Sequence, residues 1–236
     1  MRGGDIATLS TVTVSSDRPT RQEISDAVGE DGWRLVLGAI YADVEVASLA
    51  QGAQAAALAA DAAGDLGDGH LSIDIRADRA VLRLQSAAAG AVTGADIRLA
   101  KTLAAALTAG GRRLRPGTVQ AMEIAIDALD IAAVRPFWKA LTGYVDESGP
   151  SDLSDGLVDP LGRGPAIWFQ QMDAPRPQRN RIHLDVDVPH DTAAGRIGAA
   201  LAAGGRLLSD SAAPAFWVLA DPEGNEACIC TWQARD

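Results

Sequence analysis

Histidine and cysteine are both scarce in this chain, and long apolar runs are missing. Two cysteines cannot supply a four-ligand structural zinc site. Because Cys228 and Cys230 are only one residue apart in the sequence, they cannot easily reach disulfide geometry either. No stretch approaches the roughly 18 apolar residues of a membrane span, and the first residues lack the apolar segment of a secretory signal. These absences predict a soluble protein of the cytoplasm.

Positive charge is also in short supply. The 236 residues include 21 Lys and Arg against 31 Asp and Glu, which gives a formal net charge of −10. Affinity for nucleic acids depends on neutralising phosphates, and anionic membranes attract basic segments. We therefore expect neither as a partner. With 47% hydrophobic residues the chain can bury a core, and a usual domain size of roughly 150 residues allows one large or two small domains.

A break over residues 108–120 divides the sequence. The glycines Gly110 and Gly111 end a helical pattern, a basic cluster follows, and a Pro-Gly pair prevents the helix from continuing. We predict a first domain over residues 9–108, a linker over 109–118 and a second domain over 119–233.

The first domain has the pattern of a helix, two strands, a helix, two strands and a final helix. Thr20 and Glu23 have the spacing of a capping box at the start of the first helix, and Thr93 is placed to cap the last. A break at Gly38 indicates a β-hairpin. This order predicts an α+β domain, an antiparallel sheet with helices on one face.

The second domain contains the same pattern twice, a strand, a helix and three further strands. The first copy begins with MEIAIDAL and the second with RIHLDVDV. Sequence identity between the copies is negligible, so the repeat is one of pattern and spacing. We predict two βαβββ modules.

The first half resembles the pterin-4a-carbinolamine dehydratase family. The matching segments are TRQEI, GWRL and the block GHLSIDIRADRAVLRLQSAAAGAVTGAD. In that family the block begins with His-His-Pro-Asp, and a further His-Asp pair follows the next strand. Residue by residue, His70 retains the second histidine and Asp96 retains the aspartate of the last-helix motif. The substituted positions are Gly69, Leu71, Ser72, Ala87 and Ala88.

The losses bear directly on the family's chemistry. Dehydration of a 4a-hydroxy-tetrahydropterin needs one group to remove a ring N–H proton and another to protonate the departing hydroxide. Histidine suits both tasks because its pKa lies near the working pH. The resemblance therefore implies either a degenerate binding or dimerisation module, or a dehydratase that acts through His70 with Asp96 in the substrate site.

The second half resembles the vicinal-oxygen-chelate superfamily, most closely its compact glyoxalase-like members. The matching segments are DALDIAAVRPFWKALTGY, RIHLDVDV and DPEGNEACI. The resemblance implies paired βαβββ modules in a cup-shaped sheet, and one divalent ion (Zn, Ni, Mn or Fe) held by the first and last strand of each module. The matching positions are Glu123, Gln170, His183 and Cys228. Without an ion, Glu123 and His183 would form a hydrogen-bonded pair; Asp185 is a partner for His183 in either case.

Alternation along the strands indicates a pocket independently of that resemblance. Successive side chains of a strand point to opposite faces, so we expect the aliphatic sets to pack under the helices and the polar sets to line an open concave face. Trp168 and Trp217 are expected on the open face as apolar walls, and Asp185 as a further binding residue. Apolar walls with a few polar groups are typical of small-molecule sites.

Three functions stay open on this basis. The first is binding of a small molecule, with a metal-assisted lyase or isomerase reaction in which Glu123 or Glu226 is the general base. The second is non-catalytic sequestration of a drug or metabolite. The third is pterin dehydration through His70. Members of both families usually associate, so a homodimer is implied by analogy.

Overall fold

A computed structural model describes residues 18–117, 119–148, 156–175 and 182–234. The chain is mixed α and β, as predicted, and divides into two compact units, residues 1–119 and 120–236. We call them the first and second domain. None of the helices in the described part of the chain combines the length and apolar character that a membrane span requires.

The first domain follows the predicted order of elements. They are α1 (Arg21–Val28), β1 (Arg34–Val36), β2 (Ala39–Glu45), α2 (Leu49–Ala63), β3 (Leu71–Ile75), β4 (Arg79–Leu84), α3 (Gly94–Ala109) and β5 (Leu114–Arg115). Strands β1, β2, β4 and β3 lie in that order in one antiparallel sheet. One face of the sheet packs with the helices in a single core, to which β2 contributes Val44, β4 Leu82, α2 Ala59 and α3 Leu103.

Local signals in the first domain correspond to observed contacts. The Thr20 amide donates to the Glu23 carboxylate (2.7 Å), and the Glu23 amide donates to the Thr20 hydroxyl (3.2 Å), so the predicted capping box is confirmed. The short strand β5 falls inside the predicted linker and pairs with β2. Leu114 is buried against the core, which explains why this segment joins the sheet instead of connecting freely.

The second domain contains the predicted repeat. Each module is a strand, a helix and three strands, and each forms a four-stranded sheet with the order first, last, third, second. The first and last strands of each module are parallel. The first module comprises β6 (Glu123–Ala128), α4 (Ile131–Thr142), β7 (Val145–Asp146), β8 (Leu157–Val158) and β9 (Ala166–Gln171). The second comprises β10 (Leu184–Asp187), α5 (Ala193–Ala202), β11 (Arg206–Ser209), β12 (Phe216–Ala220) and β13 (Glu226–Cys230).

One core serves both modules of the second domain. The aliphatic side chains of the strands, such as Ile126 and Ile229, are buried with Phe137 and Leu141 of α4 and Ala200 of α5. This confirms that the aliphatic sets pack under the helices. The alternate residues of the same strands consequently face away from the helices.

A buried aspartate organises the turn between β12 and β13. Asp221 is fully buried and accepts four hydrogen bonds. The Trp138 indole donates at 3.0 Å, the Glu223 amide at 3.0 Å, and Asn225 donates from its amide (2.8 Å) and its side chain (2.7 Å). Trp138 therefore joins α4 to this turn, and its ring also packs in the core of the second domain.

Candidate functional site

We call the side of the second domain's two sheets that turns away from α4 and α5 the open face. It carries the residues of the strands that alternate with the core set. On the first module these are Glu123, Ala125, Asp127, Ala166, Trp168 and Gln170. On the second they include Asp185, Asp187, Arg206, Phe216, Val218, Ala220, Glu226, Cys228 and Cys230.

The second module brings three potential metal ligands together on this face. Asp185 lies directly beside Cys228 on the neighbouring parallel strand. Nε2 of His183, the residue before β10, is 3.3 Å from Oδ1 of Asp185. Ligand atoms of all three residues lie within 4.8 Å of one another. The predicted contact between His183 and Asp185 is thus confirmed, and Glu123 is not part of this group.

Cys228 is a protonated thiol in this arrangement. Burial raises its pKa to about 12, helped by the hydrogen bond that the thiol donates to Asp185 and by the negative charge of that carboxylate. The ordinary pKa of a cysteine is about 8.5, so the side chain is neutral over the physiological range. A bound metal ion would displace this proton, since thiol ligands coordinate as thiolates.

Among its described residues, the first module has no equivalent group. Glu123 in the first module matches His183 in the second. Two residues later along each strand, Ala125 therefore corresponds to Asp185. Ala125 pairs with Trp168, whereas Asp185 pairs with Cys228. The indole of Trp168 therefore takes the place of the thiol. Gln170, the predicted ligand, lies two residues further on, about 7 Å along the strand. Gln170 pairs with Asp127, four residues from Glu123, so the strand register does not place Gln170 beside Glu123.

The aromatic residues of the open face also differ from the prediction. Trp168 lies there as predicted and is 41% exposed. Trp217 lies on the opposite face, since it is paired with Ile229 and packs against the core. Its neighbour Phe216, paired with Cys230 and 38% exposed, is the aromatic side chain that β12 presents to the open face.

A carboxylate that sequence reasoning missed lies on the same face of the sheet as Trp168. Glu147 follows β7 and its amide donates to the carbonyl of Gly156 (3.1 Å). Its carboxylate lies over Gly156, where a Cβ would be only 2.3 Å from Oε2. The register of β8 with β9 sets Gly156 opposite Trp168. Burial, and then the negative charge of Glu123, raise the pKa of Glu147.

The other predicted candidates of this domain are Glu226 and Glu123. Glu226 is half-buried on the open face, two residues before Cys228 on the same strand. Glu123 is exposed at the start of β6. Both lie on the predicted face, while neither belongs to the group of His183, Asp185 and Cys228.

The first domain has a separate polar contact of its own. His70 Nδ1 and Asp96 Oδ1 are 2.8 Å apart, and the His70 side chain is 18% exposed whereas that of Asp96 is fully buried. The second oxygen of Asp96 accepts from the amide and hydroxyl of Thr93, which fixes the carboxylate at the start of α3. The amide of Ala87 donates to the carbonyl of Gly69 (2.8 Å), the residue before His70.

Comparison with known families concerns the second domain. Residues 123–230, from the first residue of β6 to the last of β13, match the family model described as a glyoxalase-like domain. Over these residues the second domain is similar to the glyoxalase-like family. The matched region contains both βαβββ modules and every open-face residue described above.

Several solved structures resemble this chain over just under half of its length. A glyoxalase/bleomycin resistance protein/dioxygenase family enzyme from Burkholderia phytofirmans PsJN is 24% identical, and the match covers 46% of this chain and 95% of that one, with a TM-score of 0.38. A glyoxalase-related enzyme from Fulvimarina pelagi is 21% identical (48% and 87%, TM-score 0.35). A glyoxalase/dioxygenase from Nostoc punctiforme is 15% identical (48% and 90%, TM-score 0.38). Comparison with curated proteins found no match.

Proteins with glyoxalase-like domains often hold a divalent ion, and the donors available here fit one only in part. An imidazole, a carboxylate and a thiol within 4.8 Å of one another match the nitrogen, oxygen and sulfur ligands that zinc takes. The four-position set of the resemblance does not assemble, because Trp168 and Gln170 supply no donor at the required place. When bound, such an ion would polarise the oxygen atoms of a ligand.

Proposed function

We propose that the glyoxalase-like domain binds a small molecule on its open face. The observation that carries this proposal is the position of Trp168, a large apolar side chain 41% exposed among polar residues of a sheet face. Its indole offers a broad contact surface for a ligand. Glu123 lies two residues before Ala125, the strand partner of Trp168, and is close enough to Glu147 for its charge to raise the pKa of that carboxyl. The group of His183, Asp185 and Cys228 provides further polar contacts.

The charge of the open face favours a neutral or cationic ligand. Among the open-face residues of the described strands, together with Glu147, six side chains are acidic and one, Arg206, is a basic Lys or Arg. A surface with one prevailing sign of charge attracts the opposite sign and repels its own. Anionic ligands such as phosphate esters are therefore disfavoured. The acidic residues are Glu123, Asp127, Glu147, Asp185, Asp187 and Glu226.

Substitution of Trp168 tests this proposal. A mixture of soluble neutral metabolites and organic amines is screened against the full chain by ligand-observed NMR. For each ligand found, Trp168→Ala is expected to weaken binding by about tenfold, because the apolar contact is lost. Leu49→Ala, which removes an exposed apolar side chain in the first domain, is the matched control and is expected to change nothing. Equal affinity for wild type and Trp168→Ala would contradict the proposal.

The same samples separate catalysis from sequestration. A ligand that is recovered unchanged after long incubation supports sequestration, whereas conversion to a product supports a lyase or isomerase reaction. In the second case Glu226 and Glu123 are the general bases to test, and a base typically contributes about 10²- to 10⁴-fold to the rate. Glu226→Gln and Glu123→Gln should then lower turnover more than binding.

The contact between His70 and Asp96 favours a second candidate function in the first domain, dehydration of a pterin carbinolamine. A buried carboxylate that accepts from one ring nitrogen orients the imidazole and leaves the other nitrogen for proton transfer. If this domain is active, His70→Ala is expected to reduce carbinolamine dehydration by about 10²-fold. His190→Ala is the control, since His190 belongs to the second domain. Equal rates for wild type and His70→Ala would remove His70 from the reaction.

A further inference from the structure

We propose that the second module alone holds a divalent ion, through His183, Asp185 and Cys228, and that this site prefers zinc or cadmium to magnesium or manganese. Asp185 would thereby be a metal ligand that neither the family resemblance nor the alternation of the strands assigned. The proposal deepens the proposed function, since it adds an ion to the same open face.

The position of the donors on the backbone supports a single site. Asp185 and Cys228 are direct neighbours on parallel strands, and His183 lies two residues before Asp185 on the same side of the chain. Ligand atoms of the three residues are already within 4.8 Å of one another. Ligands around zinc lie about 2.0–2.3 Å from the ion, so small side-chain rotations would suffice to close the site.

The chemistry of the donors determines which ion fits. Sulfur and imidazole nitrogen are ligands for zinc and other borderline or soft ions, whereas magnesium and calcium take oxygen ligands almost entirely. Two of the three donors here, on His183 and Cys228, are not oxygen. Three protein ligands leave a fourth position of a tetrahedral ion for a ligand or water, as in catalytic zinc sites.

The first module cannot complete the site in the way the resemblance implies. Trp168 occupies the position that corresponds to Cys228, and an indole N–H has no lone pair with which to coordinate a metal ion. Gln170 lies about 7 Å further along the strand. The second module therefore supplies all of the proposed metal ligands, and the first module supplies the aromatic side chain of Trp168.

Metal titration of the full chain, first stripped with a chelator, tests the proposal without any activity assay. Isothermal titration with zinc is expected to show one site, and cadmium is expected to produce a cadmium–thiolate absorption band. His183→Ala and Asp185→Asn should each weaken zinc binding by about tenfold or more. Cys228→Ser should abolish the cadmium band.

Two conservative variants serve as controls. Cys230→Ser removes one thiol of β13 and keeps that of Cys228. Glu123→Gln removes the charge of the first-module residue that matches His183. Both variants should bind zinc with an affinity within about twofold of wild type. Circular dichroism checks that every variant is folded. A loss with Glu123→Gln equal to that with His183→Ala, a cadmium band that survives Cys228→Ser, or magnesium binding as tight as zinc would each overturn the proposal. Ligand binding that depends on Trp168 in the stripped protein would preserve the proposed function even then.

Discussion

Replacement of Asp221 by alanine is expected to lower the free energy of unfolding of the glyoxalase-like domain by about 3–5 kcal/mol. Asp221 is fully buried and accepts hydrogen bonds from Trp138, Glu223 and Asn225. Alanine would leave these donors without their acceptor, and the contact of the Trp138 indole is buried, where water cannot replace it. Unpaired buried donors each cost about 1–3 kcal/mol, which explains the size of the effect.

Tryptophan fluorescence during urea unfolding measures this effect. Four of the chain's five tryptophans belong to the glyoxalase-like domain, and only Trp33 lies in the first, so the signal reports mainly on the second domain. Asp210→Ala is the control, because Asp210 is exposed and substitutions at such sites usually change stability by less than about 0.5 kcal/mol. A change with Asp221→Ala as small as that of the control would show that the turn does not depend on this carboxylate.

The first domain is expected to lose a similar amount, about 3–5 kcal/mol, when Asp96 is replaced by alanine. The carboxylate is fully buried, accepts from the amide and hydroxyl of Thr93 at the start of α3, and contacts His70 at the entry to β3. Its removal would take away the cap of the longest helix of the domain and the partner of the imidazole together. The cap alone is worth about 1 kcal/mol.

Amide hydrogen exchange, measured separately for the two domains, tests the prediction for Asp96→Ala. Amide protons of α3 should exchange faster in Asp96→Ala, whereas those of β13 should keep the rates of wild type. Asp65→Ala, an exposed carboxylate of the same domain, should leave both sets unchanged. Protection of α3 that is unaffected by Asp96→Ala would mean that the helix is held by packing alone.

Much of the fold can be read from the sequence because its signals are local. The Thr20 and Glu23 capping box, the break at Gly38 and the alternation of β6 and β13 each depend on residues within a few positions of one another. Each therefore predicted the observed element. The core of the second domain follows from the same alternation, since the aliphatic residues of one face have to pack under helices.

The site was predictable only in part because its geometry depends on how distant strands are paired. β12 reads FWVLA, in which every residue is apolar, so no alternation shows that Trp217 faces the helices and Phe216 the open face. The register of β6 with β9 decides that Trp168 rather than Gln170 corresponds to Cys228. Neither the orientation of β12 nor the register of β6 with β9 can be read from the sequence of the strand itself.

Glu147 was missed for a related reason. It follows a strand of only two residues, which is too short to show a period. Gly156, the glycine that gives its carboxylate room, belongs to a different segment and is recognisable only once β7 and β8 are paired. The site thus includes a residue, Glu147, whose position depends on the pairing of two short strands and not on a sequence motif.

The central claim, that the open face of the glyoxalase-like domain is a small-molecule site, is tested most directly by one crystal structure. Crystals of the full chain are grown with a ligand identified in the metabolite and amine screen. We predict electron density for that ligand in contact with Trp168 on the open face. Density in the first domain, or on the face covered by α4 and α5, would contradict the claim.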